Sequence, residues 1–223
     1  MAEEDHRWMI ETGRLSDFKL ICRGEVINVH KIILAGHSRR FETIFNDDFQ
    51  QNKDGVLVLE DVEPELMRHL LDYFYQGTIE WNVPEADLKL NVRLWILACR
   101  LRVRTVMLTV EKRIMTALES YESKVRVLVF IDKVFTNPVC SVSALGYTAG
   151  EAAWALFLDK ERPEAANYVS LASSKYKRLA NMMLWWSSQY TSFTQNRGIV
   201  QVASTGQVRE AILTGKLTPT SRT

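Results

Sequence analysis

The sequence predicts an α+β fold: a short β-hairpin and small sheet packed on a cluster of helices, followed by an all-helical C-terminal half. Three observations lead there. Two β-prone runs, Phe18–Cys22 and Glu25–Val29, flank the dipeptide Arg23-Gly24, which reads as a hairpin. Helical spacing takes over at Lys31 and dominates to Leu118. Beyond Ser120 no strand pattern returns.

The elements follow in order. Met1 to Ser16 is polar apart from Trp8, Met9 and Ile10, enough for a turn or two of helix. Phe18, Leu20 and Cys22 alternate with Lys19, which gives the first strand one buried face. Ile32, Ile33, Leu34 and Ala35 are expected inside. Ser38 is placed to cap a second helix through Phe41, Ile44 and Phe45. After the polar stretch Asn46 to Gly55, Val56-Leu57-Val58-Leu59 is a short apolar strand. Pro64 suits a first helical turn, Leu66, Leu70, Leu71, Phe74 and Tyr75 form its stripe, and Gly77 ends it. Thr78 to Trp81 is expected as an edge strand. Pro84 opens a helix with Leu88, Leu90, Val92, Trp95, Ile96 and Cys99. After a break near Arg102, the spacing of Val103, Val106, Met107, Val110, Ile114 and Leu118 predicts another.

In the second half, Val125, Leu128, Val129 and Val134 predict an amphipathic helix, broken at Pro138 and the serine-rich stretch after it. Ala149 to Leu158 is expected as a helix around Trp154 and Phe157. Pro163 opens one through Tyr168, Leu171 and Tyr176. Leu179 to Tyr190 carries Trp185-Trp186, adjacent residues that point apart, one into the core and one partly outward. From Ser192 the chain turns polar, with one more short helix expected over Val208 to Leu213.

Composition narrows the function classes. The 223 residues are 47% hydrophobic and 25% charged, with a formal net charge of +1. That balance argues against nucleic acid as a partner. Arg100, Arg102 and Arg104 are the best basic cluster, but steps of two scatter them around a helix. Three cysteines, Cys22, Cys99 and Cys140, sit in apolar surroundings and read as thiols of a reducing compartment. Met1 to Asp5 is acidic with no apolar run behind it, so no secretory signal is expected, and no run is long enough to span a membrane. The expected location is the cytoplasm, the nucleus or both.

Catalytic patterns are missing. There is no phosphate-cradling glycine motif and no C-x-x-C pair, and His6, His30, His37 and His69 show no metal-ligand spacing with the cysteines. Ser38 beside His37, with Asp47 nearby, reads as a helix cap and not a triad. His30 is expected to bond backbone at a strand–helix junction. The reading is a binding protein, not an enzyme, without cofactor or metal.

The order of elements resembles the BTB/POZ domain, and particular residues carry the likeness. Ser16-Asp17-Phe18 precedes the first strand, and Val29-His30-Lys31-Ile32-Ile33-Leu34-Ala35 is similar to the family's strand-to-helix signature. His37-Ser38-Arg39-Arg40-Phe41 with Ile44-Phe45, then Leu59-Glu60-Asp61-Val62-Glu63-Pro64-Glu65, then Leu70 to Gly77, match the blocks after it. The likeness covers roughly Ser16 to Leu118, and the helical half is similar to extensions of fungal BTB proteins. It divides the chain into an N-terminal segment 1–15, a BTB/POZ domain 16–119, a helical extension 120–191 and a weakly ordered tail 192–223.

The resemblance implies an adaptor that binds proteins, usually as a homodimer, with an N-terminal helix packed across the two-fold. Trp8, Met9 and Ile10 are the apolar group for that helix. Asp17 and Lys31 hold the positions of a charge pair near the family's dimer floor. Many such proteins recruit the cullin scaffold of ubiquitin ligases through a hydrophobic-x-Glu motif. The matching positions here are Phe49, Gln50 and Gln51, where glutamine replaces the carboxylate; Asp47 and Asp48 complete that candidate contact. The alternative is a transcriptional or chromatin co-regulator that binds repressor proteins through the same domain.

Overall fold

The computed structural model describes residues 6–46, 54–77, 88–119, 124–158 and 163–196. They fall into two compact units, Met1–Ala117 and Leu118–Thr223.

The first unit is built on a three-stranded sheet. Strand β1 (Phe18–Cys22) pairs antiparallel with β2 (Glu25–Val29) and parallel with β3 (Val56–Leu59), so β1 is central. The hairpin turn works because Arg23 and Gly24 both adopt positive φ, 47° and 84°, which matches the twist of the strands. Phe18, Leu20, Cys22, Ile27, Val29 and Leu59 point into the core. The two expected hairpin strands, the expected strand Val56–Leu59 and the alternation of β1 are present.

Helices cover the inner face. Ser38 separates α2 (Lys31–His37) from α3 (Arg39–Asn46). Its buried hydroxyl accepts the Phe41 N–H at 3.2 Å and donates to the Leu101 carbonyl at 2.6 Å, so the cap is also a tertiary tie. Helix α4 (Pro64–Gln76) starts on its proline and ends on Gly77, whose left-handed backbone returns its N–H to the Tyr73 carbonyl. Helices α5 (Leu88–Arg100) and α6 (Arg104–Glu119) are separated at Arg102, which takes φ 55° as the break. Val103 N–H reaches back to the Ala98 carbonyl at 2.8 Å and closes the end of α5. The buried Trp95 indole donates to Glu111 Oε1 at 2.8 Å, linking α5 to α6. The expected strand at Thr78 to Trp81 and helix start at Pro84 lie outside the described residues. One expectation fails here: in α2 only Leu34 is fully buried, and Ile32 is 81% exposed.

The second unit is helical throughout its described residues. Helix α7 (Lys124–Thr136) buries Val127, Phe130, Ile131, Val134 and Phe135. Val129, expected in the buried stripe, is exposed. The expected break holds a short helix, α8 (Pro138–Ser141), capped by the Asn137 side chain. Ser143 then caps α9 (Ala144–Phe157), which starts well ahead of the expected Ala149. Its buried face sets glycines and alanines between Leu145 and Leu156, and Phe157 is exposed. Helix α10 (Pro163–Lys175) buries Ala165, Val169 and Ala172, while Tyr168 and Leu171 face out. Helix α11 (Lys177–Asn196) buries Trp186 and half-buries Trp185, as their adjacency required. Tyr176, between α10 and α11, donates to Asp132 Oδ1 on α7 at 2.6 Å.

Candidate interaction surface

The N-terminal corner gathers most of the expected site. Helix α1 (Arg7–Thr12) has six residues, none of them buried. A helix that short does not persist alone in water. It ends on Gly13 at φ 63° and lies against α4, where the His6 N–H donates to the Tyr75 carbonyl at 3.0 Å. Trp8 is 45% exposed, with Met9 and Ile10 half-buried beside it.

A buried hydrogen-bond node fixes the segment that leaves α1. Tyr75 Oη accepts the backbone N–H of His30 at 3.1 Å and lies 2.8 Å from its Nδ1. His30 Nε2 lies 2.8 Å from the Arg14 carbonyl, which can only accept. Nε2 therefore carries the proton in the neutral tautomer, and the tyrosine hydroxyl donates to Nδ1. Burial pushes the Tyr75 phenol far above its ordinary range, which keeps that donor in place. As expected, His30 bonds backbone at the strand–helix junction.

The node presents apolar side chains outward. Leu15, next to Arg14, is held at φ 65° and is 76% exposed. A left-handed leucine costs about 1–2 kcal/mol, so the fold holds it there against its preference. Ile32 lies two residues beyond His30 in the first turn of α2. Nearby, Asp17 Oδ1 accepts the Lys31 N–H at 2.8 Å. That amide is an orphan of the α2 N-terminus, and a carboxylate there also suits the helix dipole. Asp17 is exposed, and its contact runs to the Lys31 backbone. The Lys31 ammonium sits 5.5 Å from the Phe18 ring centre and 5.8 Å from that of Phe45.

Ion pairs ring the other end of the hairpin. Glu63 pairs with Arg23 at 3.4 Å and with Arg93, Arg68 pairs with Glu25, and Arg100 with Asp61. Hydrogen bonds from Arg100 and Arg93 pull the Asp61 and Glu63 carboxyls below their ordinary values. Burial pushes the Cys22 thiol up to about 11, so it behaves as a core side chain. Among the described residues no group of His, Cys, Asp and Glu is arranged to hold a metal ion, and no helix is long and apolar enough to cross a membrane.

Residues 9–118 match the family model of the BTB/POZ domain. This segment is a BTB/POZ domain. Its match starts inside α1 at Met9, so the corner described above belongs to it apart from His6 to Trp8, while the helices from α7 onward lie outside. The chain is 35% identical over 85 residues to the sex determination protein fruitless of Drosophila melanogaster, covering 38% of this chain and 8% of that protein. It is 33% identical over 76 residues to Kelch-like protein 8 of Caenorhabditis elegans, 34% of this chain and 11% of that one. It is 26% identical over 76 residues to human Kelch repeat and BTB domain-containing protein 4, again 34% of this chain and 14% of that one. The likeness thus spans a small part of each relative. Among solved structures, the BTB domain of zebrafish PATZ1 aligns with a TM-score of 0.41 and 24% identity, covering 49% of this chain and 84% of that one.

Trp8, Met9 and Ile10 lie on α1, Trp8 just ahead of the family match and the other two within it, while Asp17 and Lys31 meet at the start of α2. Asp47, Asp48, Phe49 and Gln51 lie outside the described residues. Sequence reasoning missed Leu15 and Ile32. Leu15 sits alone among polar residues, outside any periodic pattern, and Ile32 is masked by the apolar run it belongs to.

Proposed function

We propose that this chain is a protein-interaction adaptor whose BTB/POZ domain self-associates through the α1–α2 corner. One observation supports it above the rest: Trp8, Leu15 and Ile32 are exposed around a helix that buries none of its own residues, and Leu15 is held there in a costly conformation. Large apolar side chains in water on a short, unburied helix favour a covering protein surface. A second copy supplies one without a separate partner. The helical second unit, read as an extension of the fungal type, carries a further contact.

Two finer readings share this base. In one, the adaptor presents substrates to a cullin-based ubiquitin ligase through Asp47, Asp48, Phe49 and Gln51. In the other, it recruits repressor proteins as a transcriptional co-regulator. Both place it in the cytoplasm or the nucleus. Pull-down with cullin, and the partition of the chain between cytoplasm and nucleus, separate them.

Light scattering on the full chain tests the shared base. We expect twice the monomer mass for the wild type and the monomer mass for a Leu15→Asp/Ile32→Asp double variant. Both side chains are exposed, so the variant should keep its fold, checked by circular dichroism. A wild type that stays monomeric at high concentration overturns the reading.

A further inference from the structure

We infer that the outward face of the β2–β1–β3 sheet docks an amphipathic helix of a partner protein that carries a carboxylate opposite Lys19. The face is read from the strand register. Ile21 pairs with Val26 on one side and with Val58 on the other. The three therefore form one row across all three strands. Lys19 pairs with Asn28 and with Val56 in the next outward row. Val26 is 52% exposed and Val58 49% exposed, with Ile21 and Val56 half-buried between and beside them. Single exposed valines are ordinary, but a contiguous β-branched row on the solvent side of a sheet is a surface shaped for packing.

Charge selects the occupant. The arginines around the hairpin turn are already engaged: Arg23 and Arg93 by Glu63, Arg68 by Glu25. Lys19 is the charged residue of these two rows, is exposed, and makes no ion pair among the described residues. The complement of this face is an apolar stripe with an acidic residue beside it. It is a helix and not a strand because a sheet face offers side chains only. A helix satisfies its own backbone hydrogen bonds, whereas a strand laid on the face leaves its own unmet. A five-residue strand is about 17 Å long, which matches about eleven helical residues.

The inference extends the adaptor reading to a second surface and fails separately from it. A chain that stays monomeric leaves this face available, and loss of this face leaves self-association untouched.

The test uses a display library of small three-helix proteins with one randomised helix face, selected on the full chain. We expect dominant clones that combine an apolar i, i+4 stripe with Asp or Glu. They should lose binding to Val26→Asp and Val58→Asp, and weaken about tenfold on Lys19→Glu. Exchanging the acidic residue of a clone for lysine should restore its binding to Lys19→Glu. The valines are half exposed, so melting of each variant should match the wild type, and Lys19→Glu disturbs no packing. Dominant clones that bind all three variants unchanged overturn the inference. So does a fall in the mass of the chain on Val26→Asp or Val58→Asp, which would mean that a second copy covers the face.

Discussion

Tyr75 makes two hydrogen bonds to one residue, the N–H and the Nδ1 of His30, and both are buried. Tyr75→Phe keeps the ring and removes both bonds, stranding a donor and an acceptor at a cost of about 2–4 kcal/mol. Urea denaturation of the full chain should read that loss; a change under about 0.5 kcal/mol would show that the node is not holding the Arg14–Leu15 turn. Tyr176 acts differently. Its hydroxyl, and after it Lys175, lowers the Asp132 carboxyl from its ordinary 3.8. A carboxyl lowered in the folded state contributes stability above its unfolded value and loses it as pH falls through the folded value. The melting temperature of Tyr176→Phe should therefore lie below that of the wild type at neutral pH, and the gap should narrow in acid. A gap that is constant with pH would assign the effect to the hydroxyl's contact with Thr136 and not to the Asp132 carboxylate. His30 and Ser38 were legible in the sequence because each sits at an element boundary where a polar side chain has one natural task. Leu15 was not, because its left-handed turn combines a local bond from Ser16 to Gly13 with the tertiary bond of His30 to Arg14, and no periodic pattern marks either.

At the scale of elements, the sequence marks helices best where large apolar residues line the buried face. Helix α4 has its proline, its leucine and aromatic stripe and its glycine stop, and all fall where expected. Helices α9 and α10 depart from the rule: alanines and glycines fill most of the buried face beside Leu145, Leu156 and Val169, and Tyr168, Leu171 and Phe157 go out. Close approach of backbones explains this. A Cβ on Gly150 would lie 2.8 Å from Met182 Cβ on α11, and one on Gly146 would lie 2.3 Å from the Ser141 carbonyl oxygen. Period-based reading looks for bulk and so started α9 too late. Gly150→Ala should destabilise the chain by about 1–3 kcal/mol through overpacking, despite the better helix propensity of alanine. Thermal melting checks this, and an unchanged or raised midpoint would mean that α9 and α11 separate at no cost. The α2 run Ile32 to Ala35 failed for a related reason: four adjacent apolar residues on a helix cannot all face one core.

At the scale of the molecule, the sequence separated a mixed first part from a helical second part, and the chain folds as two units with β strands only in the first among the described residues. The family likeness rested on that first part, and the family match covers residues 9–118. The second unit carries no such signature, because helical packing alone is shared by many unrelated proteins. The adaptor role rests on whether the α1 corner is finished by another copy of the chain. Hydrogen exchange of the α1 amides across a range of protein concentrations tests that most directly. A six-residue helix with nothing buried should exchange fast when dilute and gain protection as copies associate. Protection that rises with concentration, and that Ile32→Asp abolishes, is the predicted result. Exchange at α1 that is the same at every concentration would contradict it.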